Sequence, residues 1–165
     1  MKKYIIIRAG VNGGKTTTSG ILFEHLRKQA DFSKLFTSAF KEIENLRFSE
    51  NGSLIDFIGI LIVKGKVIII ISQGDVSSDL ENILNKLDSE EFIKMLTDGL
   101  NTVVNIVVCC ARSQFRKNST IEMLTKRVNK EDRYEFWTKR SENLEEKLSL
   151  KEQVIKSILE KIETL

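Results

Sequence analysis

The sequence has no proline, two cysteines and a single histidine among its 165 residues. A chain of this length can bury roughly two thirds of the surface that its unfolded form exposes, so we expect one domain, spanning 1–165, that folds without disulfides. Cys109 and Cys110 are adjacent, and neighbours in a strand point to opposite faces. They are therefore predicted to be reduced, partly buried thiols. One histidine and the lack of a Cys-x-x-Cys pair argue against a structural metal site.

Long apolar runs are also missing, since none approaches the roughly 18 residues that a membrane-spanning helix requires. The first ten residues contain a basic pair and a short apolar stretch, but Arg8 interrupts the stretch and glycines follow where a leader peptide would be cleaved. Residues 3–8 are therefore predicted to form a first strand. Together with the reduced thiols, these features predict a cytoplasmic protein that has no membrane partner.

The net charge of +3 is concentrated in one segment. Residues 1–111 carry 13 basic and 13 acidic side chains, residues 112–140 carry nine and four, and residues 141–165 carry four and six. A surplus this small argues against general nucleic-acid binding. The local surplus in 112–140 suits a phosphorylated ligand.

The order of local patterns predicts an α/β fold with helices covering a sheet. After the strand at 3–8 we expect a helix at 16–30, an antiparallel hairpin of strands 57–63 and 67–72, a helix over 79–100 broken near 88–89, and a last strand at 103–110. Residues 31–50 fit either a helix or a short strand at 35–40. Everything after the last strand is predicted to be helical, with one helix capped at Ser119 and a long one from about 132 to the end. The sheet is expected to be mostly parallel.

The long C-terminal helix carries an apolar stripe that is broken at Lys151. Packing of this stripe on its own domain is the simpler explanation, and a homodimer through the helix is the alternative. The stripe consists of Leu144, Leu148, Ile155, Ile158, Ile162 and Leu165.

The segment between the first strand and the first helix carries the chemistry. It is made of Ala9, Gly10, Val11, Asn12, Gly13, Gly14, Lys15 and Thr16. Glycines let backbone N–H groups curl around an anion, and a helix N-terminus adds positive partial charge. The segment resembles the phosphate-binding loop of P-loop NTPases, with Ala9 in place of the first glycine. The resemblance implies a three-layer P-loop fold and a bound nucleoside triphosphate.

The same resemblance implies a role for each polar residue of the loop. Lys15 would contact the β- and γ-phosphates, Thr16 would bind Mg²⁺ through its hydroxyl, and Thr17 would reach the α-phosphate. The superfamily also places an acidic residue after a second apolar strand. Here Ser72-Gln73-Gly74-Asp75 follows that strand, so Asp75 is the nearest candidate to hold a magnesium-bound water or orient the attacking group. The alternative is that Gly74-Asp75 is only a turn before the next helix.

Basic residues follow the last predicted strand, where ligands of open α/β sheets usually lie. Arg112, Arg116 and Lys117 are similar in position to the arginines of the mobile lid in P-loop kinases, which stabilise the transferring phosphate. Arg112 is predicted to be catalytic together with Lys15 and Asp75, and Arg116 is predicted to contact the nucleotide. Solvated loop charges are the alternative for Arg116 and Lys117.

Three classes within the superfamily compete. A small kinase fits the chain length and the basic segment. A partition-type ATPase would have its signature lysine where this chain has Gly10, and a GTPase switch would have the Asn-Lys-x-Asp motif that this chain lacks. The sequence therefore predicts an ATP- and Mg²⁺-dependent, kinase-like phosphotransferase acting on a small molecule or nucleotide, with an ATPase or a nucleotide-binding switch as the alternative.

Overall fold

Runs of β-branched residues alternate with amphipathic segments, and the structure follows this pattern. The computed structural model describes residues 2–10, 14–112, 114–138 and 144–165. Its elements in chain order are β1 (Lys3–Ala9), α1 (Lys15–Arg27), β2 (Phe32–Thr37), β3 (Glu42–Ile43), β4 (Phe57–Val63), β5 (Lys66–Ile71), α2 (Ser77–Lys86), α3 (Glu90–Leu96), β6 (Ile106–Arg112), α4 (Thr120–Arg127), a 3-10 turn (Lys130–Asp132), β7 (Arg133–Trp137) and α5 (Leu144–Thr164). The predicted α/β class is confirmed.

The strands of the described ranges form one mixed sheet in the order β3-β2-β4-β5-β6-β1-β7. Three neighbouring pairs are parallel, namely β5 with β6, β6 with β1, and β1 with β7. The other three pairs, β3 with β2, β2 with β4, and β4 with β5, are antiparallel. The prediction of a mostly parallel sheet is therefore wrong, because β2 and β3 extend the antiparallel side beyond the expected hairpin.

The chain after β6 contains a strand that the sequence did not reveal. Residues 133–137 form β7, which pairs in parallel with β1 at the edge of the sheet, so the prediction of helix from about 132 is wrong. Tyr134 and Phe136 pack against the core on alternate positions of this strand. Aromatic side chains at a period of two favour a strand, a signal that the helical periodicity of the following segment had obscured. The preceding strand, predicted at 103–110, lies at Ile106–Arg112.

The predicted hairpin is confirmed, and its register fixes which chain ends meet. Val63 pairs with Lys66 at the turn, and Ile58 pairs with Ile71 at the open end. The carboxyl end of β5 therefore lies beside the amino end of β4. This adjacency places the residues that precede β4 at the same edge of the sheet as those that follow β5.

Helices cover both faces of the sheet. One core contains Leu22 and Phe23 of α1 with Ile155 and Ile158 of α5, and the other contains buried residues of α2, α3 and α4. The two strand faces alternate between these cores, with Ile5 in the first and Ile6 in the second. The stripe of α5 thus packs on its own domain at Ile155, Ile158 and Ile162.

Several helix boundaries follow from local capping. The predicted break near 88–89 is confirmed, since Ser89 caps α3 by accepting a hydrogen bond from the Phe92 N–H at 3.3 Å. Ser119 caps α4 in the same way, from the Glu122 N–H at 3.2 Å. No helix within the described ranges combines the length and the hydropathy that crossing a membrane demands.

Candidate functional site

Lys15 lies at the start of α1, where the chain turns away from β1. Gly14 precedes it with a φ of 83°, a left-handed conformation that favours glycine. Lys15 is only 9% exposed, and its Nζ lies 3.5 Å from the carbonyl oxygen of Ala9 and 3.4 Å from that of Gly10. The first turn of α1 has no acidic residue, and its first N–H groups have no partner within the helix. The ammonium and these N–H groups together make this end of β1 suited to an anion.

Asp75 lies between two cations. Its Oδ1 is 3.6 Å from Nζ of Lys15 and 3.2 Å from Nε of Arg112. Because β6 pairs with β1, Arg112 is the register partner of Ala9, at the end of the neighbouring strand. The structure therefore brings together the three residues that the sequence predicted to be catalytic.

Gly74 fixes the path that delivers Asp75 to this position. A Cβ at residue 74 would lie 2.0 Å from the carbonyl oxygen of Cys110, so only glycine lets the chain cross the end of β6 so closely. On its other side, Oγ1 of Thr120 donates to the carbonyl oxygen of Gly74 at 2.6 Å. The Gly74-Asp75 segment is thus held by β6 and by the start of α4, which is a tighter constraint than a surface turn would need.

Thr16 contacts a carboxylate that the sequence did not single out. Its Oγ1 donates to Oδ1 of Asp56 at 3.3 Å. Oδ1 of Asp56 also accepts a hydrogen bond from Oγ of Ser72 at 3.0 Å. Ser72 in turn accepts from the Phe57 N–H at 2.8 Å. Asp56 immediately precedes β4, so the hairpin register brings it beside the end of β5. That register was predictable, and combining it with the search for a carboxylate at the tip of β5 would have found Asp56.

Three cavities border Asp75, and two of them are lined by further predicted site residues. The larger, of about 730 Å³, is lined by Thr16 and Thr17 of α1 and by Phe48 and Leu54 of the loop between β3 and β4. The smaller, of about 350 Å³, is lined by Gly10, Arg112, Gln114, Arg116 and Lys117. The structure therefore separates the predicted site residues into two groups, with Thr17 on one side of Asp75 and Arg116 on the other.

The remaining predicted residues are placed as follows. Val11, Asn12 and Gly13 lie outside the described residues. Arg116 lines the smaller cavity and donates to Oε1 of Gln114, a neighbour on its own segment. Thr16 contacts Asp56, while Asp75, the other predicted metal ligand, is engaged by the two cations.

A buried thiol lies beneath the start of α1. Sγ of Cys110 is 3.2 Å from Oγ of Ser19, and Ser19 also donates to the carbonyl oxygen of Lys15 at 2.9 Å. Burial raises the pKa of Cys110 to about 12, although Ser19 and the charge of Lys15 oppose the rise. Both cysteines are free, as predicted, and they are fully rather than partly buried. Cys110 is therefore a neutral packing residue under the site rather than a nucleophile.

The residues present fit a phosphate group and a magnesium ion. Lys15 and the first-turn N–H groups are donors suited to phosphate oxygens. Thr16 and Asp56 offer a hydroxyl and a carboxylate oxygen, the hard ligands that Mg²⁺ prefers. In the described part of the chain, no group of three or more His, Cys, Asp or Glu side chains forms a metal site by itself. A magnesium ion here would depend on ligand phosphates for much of its coordination, as is usual for that ion.

Comparisons of the chain with protein-family models, with curated proteins and with solved structures find no match.

Proposed function

We propose that this chain binds magnesium and a nucleoside triphosphate, ATP in preference to GTP, and transfers the terminal phosphate to a small acceptor. The observation that carries the proposal is the position of Asp75, which lies between Lys15 and Arg112 where the two cavities meet. The lack of an Asn-Lys-x-Asp motif supports ATP over GTP, since the resemblance to P-loop proteins implies that motif for guanine recognition.

The larger cavity supports the nucleotide part of the proposal. Its volume of about 730 Å³ is of the size that binds small ligands. One wall carries Lys15, Thr16 and Thr17, which would hold the phosphates, and another carries the apolar side chains of Phe48 and Leu54, which offer a surface to the base. Thr16 and Asp56 would hold Mg²⁺, which, when bound, neutralises phosphate charge.

The three residues around Asp75 would divide the work of transfer. Lys15 and Arg112 stabilise the negative charge that builds on the terminal phosphate as it leaves. Asp75 accepts a hydrogen bond from the hydroxyl of the acceptor and takes its proton as that oxygen bonds to the terminal phosphorus, while the bond from the phosphorus to ADP breaks. Because Asp75 belongs to both cavities, it is placed to align the two reactants.

The smaller cavity favours a kinase over a plain ATPase. Arg112, Arg116 and Lys117 line it, so three cationic side chains surround a space that adjoins Asp75. Water, the second reactant in hydrolysis, needs no cationic cavity. An anionic acceptor such as a nucleotide or a phosphorylated small molecule does need one. The acceptor is therefore expected to carry negative charge.

The test is to incubate the chain with ATP and Mg²⁺ in the presence of nucleosides, nucleotides and sugars, and to follow the release of ADP. Release that depends on an acceptor supports the kinase, and release without one identifies an ATPase instead. Retention of nucleotide with no release identifies a binding protein. The variant that tests the site is Lys15→Ala. Its matched control is Lys94→Ala, because Lys94 is an exposed lysine of α3. Wild type that does not bind ATP, or Lys15→Ala that binds as wild type does, would overturn the nucleotide site itself.

A further inference from the structure

Lys151 is a buried lysine on the face of α5 that packs against the domain. Its side chain is 9% exposed, and Ile155 and Ile158, one and two turns further along the same face, are buried in the core shared with α1. Lysine is seldom buried to this degree, because its charge loses solvation. Lys151, which interrupts the apolar stripe of α5, therefore places a charge on the packed face of the helix, close to Gly14.

Lys151 reaches the backbone at the start of α1. A Cβ at Gly14 would lie 3.1 Å from Cε and 3.4 Å from Nζ of Lys151. The missing side chain of Gly14 is what leaves room for the ammonium to approach this closely. A residue more than 130 positions away in the sequence thus contributes a cation next to the segment that resembles a phosphate-binding loop.

Lys15 and Lys151 both line the larger cavity beside Gly14, but their ammonium groups have different neighbours. Nζ of Lys15 is directed toward Asp75, which adjoins Arg112 and the smaller cavity. Lys151 lines the larger cavity together with Thr17 and also lines the groove between α1 and α5. The ammonium of Lys15 is thus tied to Asp75, whereas that of Lys151 lies against Gly14 in the cavity that Thr17 also lines and Arg112 does not.

We infer that Lys151 binds the phosphates that the nucleotide retains, so that α5 is part of the nucleotide site. This inference rests on the proposed function. A cation on the side of Thr17, away from Arg112, contacts the diphosphate unit common to ADP and ATP. Lys151 is thus a binding residue that acts equally before and after transfer, and it sets nucleotide affinity rather than turnover.

The experiment measures equilibrium binding of ADP, ATP and adenosine, each with Mg²⁺, to wild type, Lys151→Met and Lys15→Ala. Methionine keeps the apolar stem of lysine and removes its charge. We expect Lys151→Met to weaken the binding of ADP and of ATP by the same factor, about tenfold or more for the loss of a charge-assisted hydrogen bond. The affinity for adenosine should be unchanged. Lys156→Met is the matched control, because Lys156 is an exposed lysine of α5 that lines the groove but not the larger cavity.

Thermal unfolding separates binding from folding. The Tm without ligand reports the stability of Lys151→Met and of a second uncharged variant, Lys151→Gln, and the rise in Tm on adding ADP reports binding. We expect that rise to be reduced in both variants.

The inference would be overturned if Lys151→Met bound ADP as wild type does while Lys15→Ala lost binding, and the nucleotide site would then remain in place. Absence of ADP and ATP binding in wild type would instead overturn the proposed function and this inference with it. Weaker binding of ATP with unchanged binding of ADP in Lys151→Met would also overturn the inference, since Lys151 would then contact the transferred phosphate.

Discussion

Oγ1 of Thr16 lies 3.3 Å from Oδ1 of Asp56, although 40 positions separate the two residues in the sequence. The contact exists because β4 runs antiparallel to β5, which returns the chain to the edge of the sheet where α1 begins. It places a carboxylate beside a hydroxyl at the start of α1. Asp56 therefore places a carboxylate at the tip of β5, although none directly follows that strand in the sequence.

Asp56→Asn is expected to raise the concentration of Mg²⁺ needed for half-maximal ATP binding by about tenfold, because an amide oxygen is a weaker ligand for a hard cation than a carboxylate. Binding of ATP in excess EDTA should be unchanged. Calorimetric titration over a series of Mg²⁺ concentrations measures both quantities. Asp31→Asn, at an exposed carboxylate just before β2, is the control. An unaltered magnesium requirement in Asp56→Asn would contradict the assignment.

Arg112→Ala is expected to lower turnover by about tenfold to a hundredfold with little change in ATP affinity, since in the proposed reaction its charge acts on the transferring phosphate rather than on the bound nucleotide. The measurement pairs steady-state kinetics with equilibrium binding of ATP. Lys126→Ala, at an exposed position of α4, controls for the loss of one positive charge in the same region. If the rate is that of wild type, Arg112 has no part in the mechanism.

Gly74→Ala is expected to destabilise the chain by about 1–3 kcal/mol, the usual cost of forcing an extra carbon into packed surroundings. Its Cβ would meet the carbonyl oxygen of Cys110 at 2.0 Å, and backbone cannot yield as a flexible side chain does. Urea unfolding monitored by circular dichroism gives the free energy of unfolding. Gly99→Ala is the comparison, because a Cβ there meets nothing within 4 Å and the cost is limited to its left-handed φ of 85°. Equal losses in the two variants would show that the close crossing at Gly74 has no energetic consequence.

Alkaline pH is expected to destabilise the fold through the two buried thiols. Burial raises the pKa of Cys110 from 9.0 to about 12 and raises that of Cys109 still further. Above pH 9 the unfolded chain loses thiol protons that the folded chain keeps, so the contribution of these groups is complete below pH 9 and is lost progressively as the pH rises toward 12. Urea unfolding at several pH values should show a shallower decline in the variant with Cys109→Ala and Cys110→Ala together. Parallel pH profiles for this variant and wild type would contradict the prediction.

Much of the fold could be predicted because it depends on local pattern. The β-branched runs of β1, β4 and β5, the hairpin between the last two, and the caps of α3 and α4 are all properties of neighbouring residues. The edge strand β7 could not be predicted in this way. Its five residues adjoin a long segment of helical periodicity, and its pairing partner β1 is more than 120 residues earlier in the chain.

The candidate site likewise contains residues that the sequence predicted and residues that only the tertiary structure brings together. Lys15 and Asp75 were selected through the resemblance of residues 9–16 to a phosphate-binding loop, and Arg112 because it comes after the last predicted strand, where ligands of open α/β sheets usually lie. The sequence by itself also determined the buried, unpaired thiols and the glycines that surround Lys15. Only the tertiary structure decided that Asp56 contacts Thr16 and that Lys151 lies against Gly14. Those contacts depend on the packing of α1 against the start of β4 and against α5, and both packings bury apolar surface between segments that are distant in the chain.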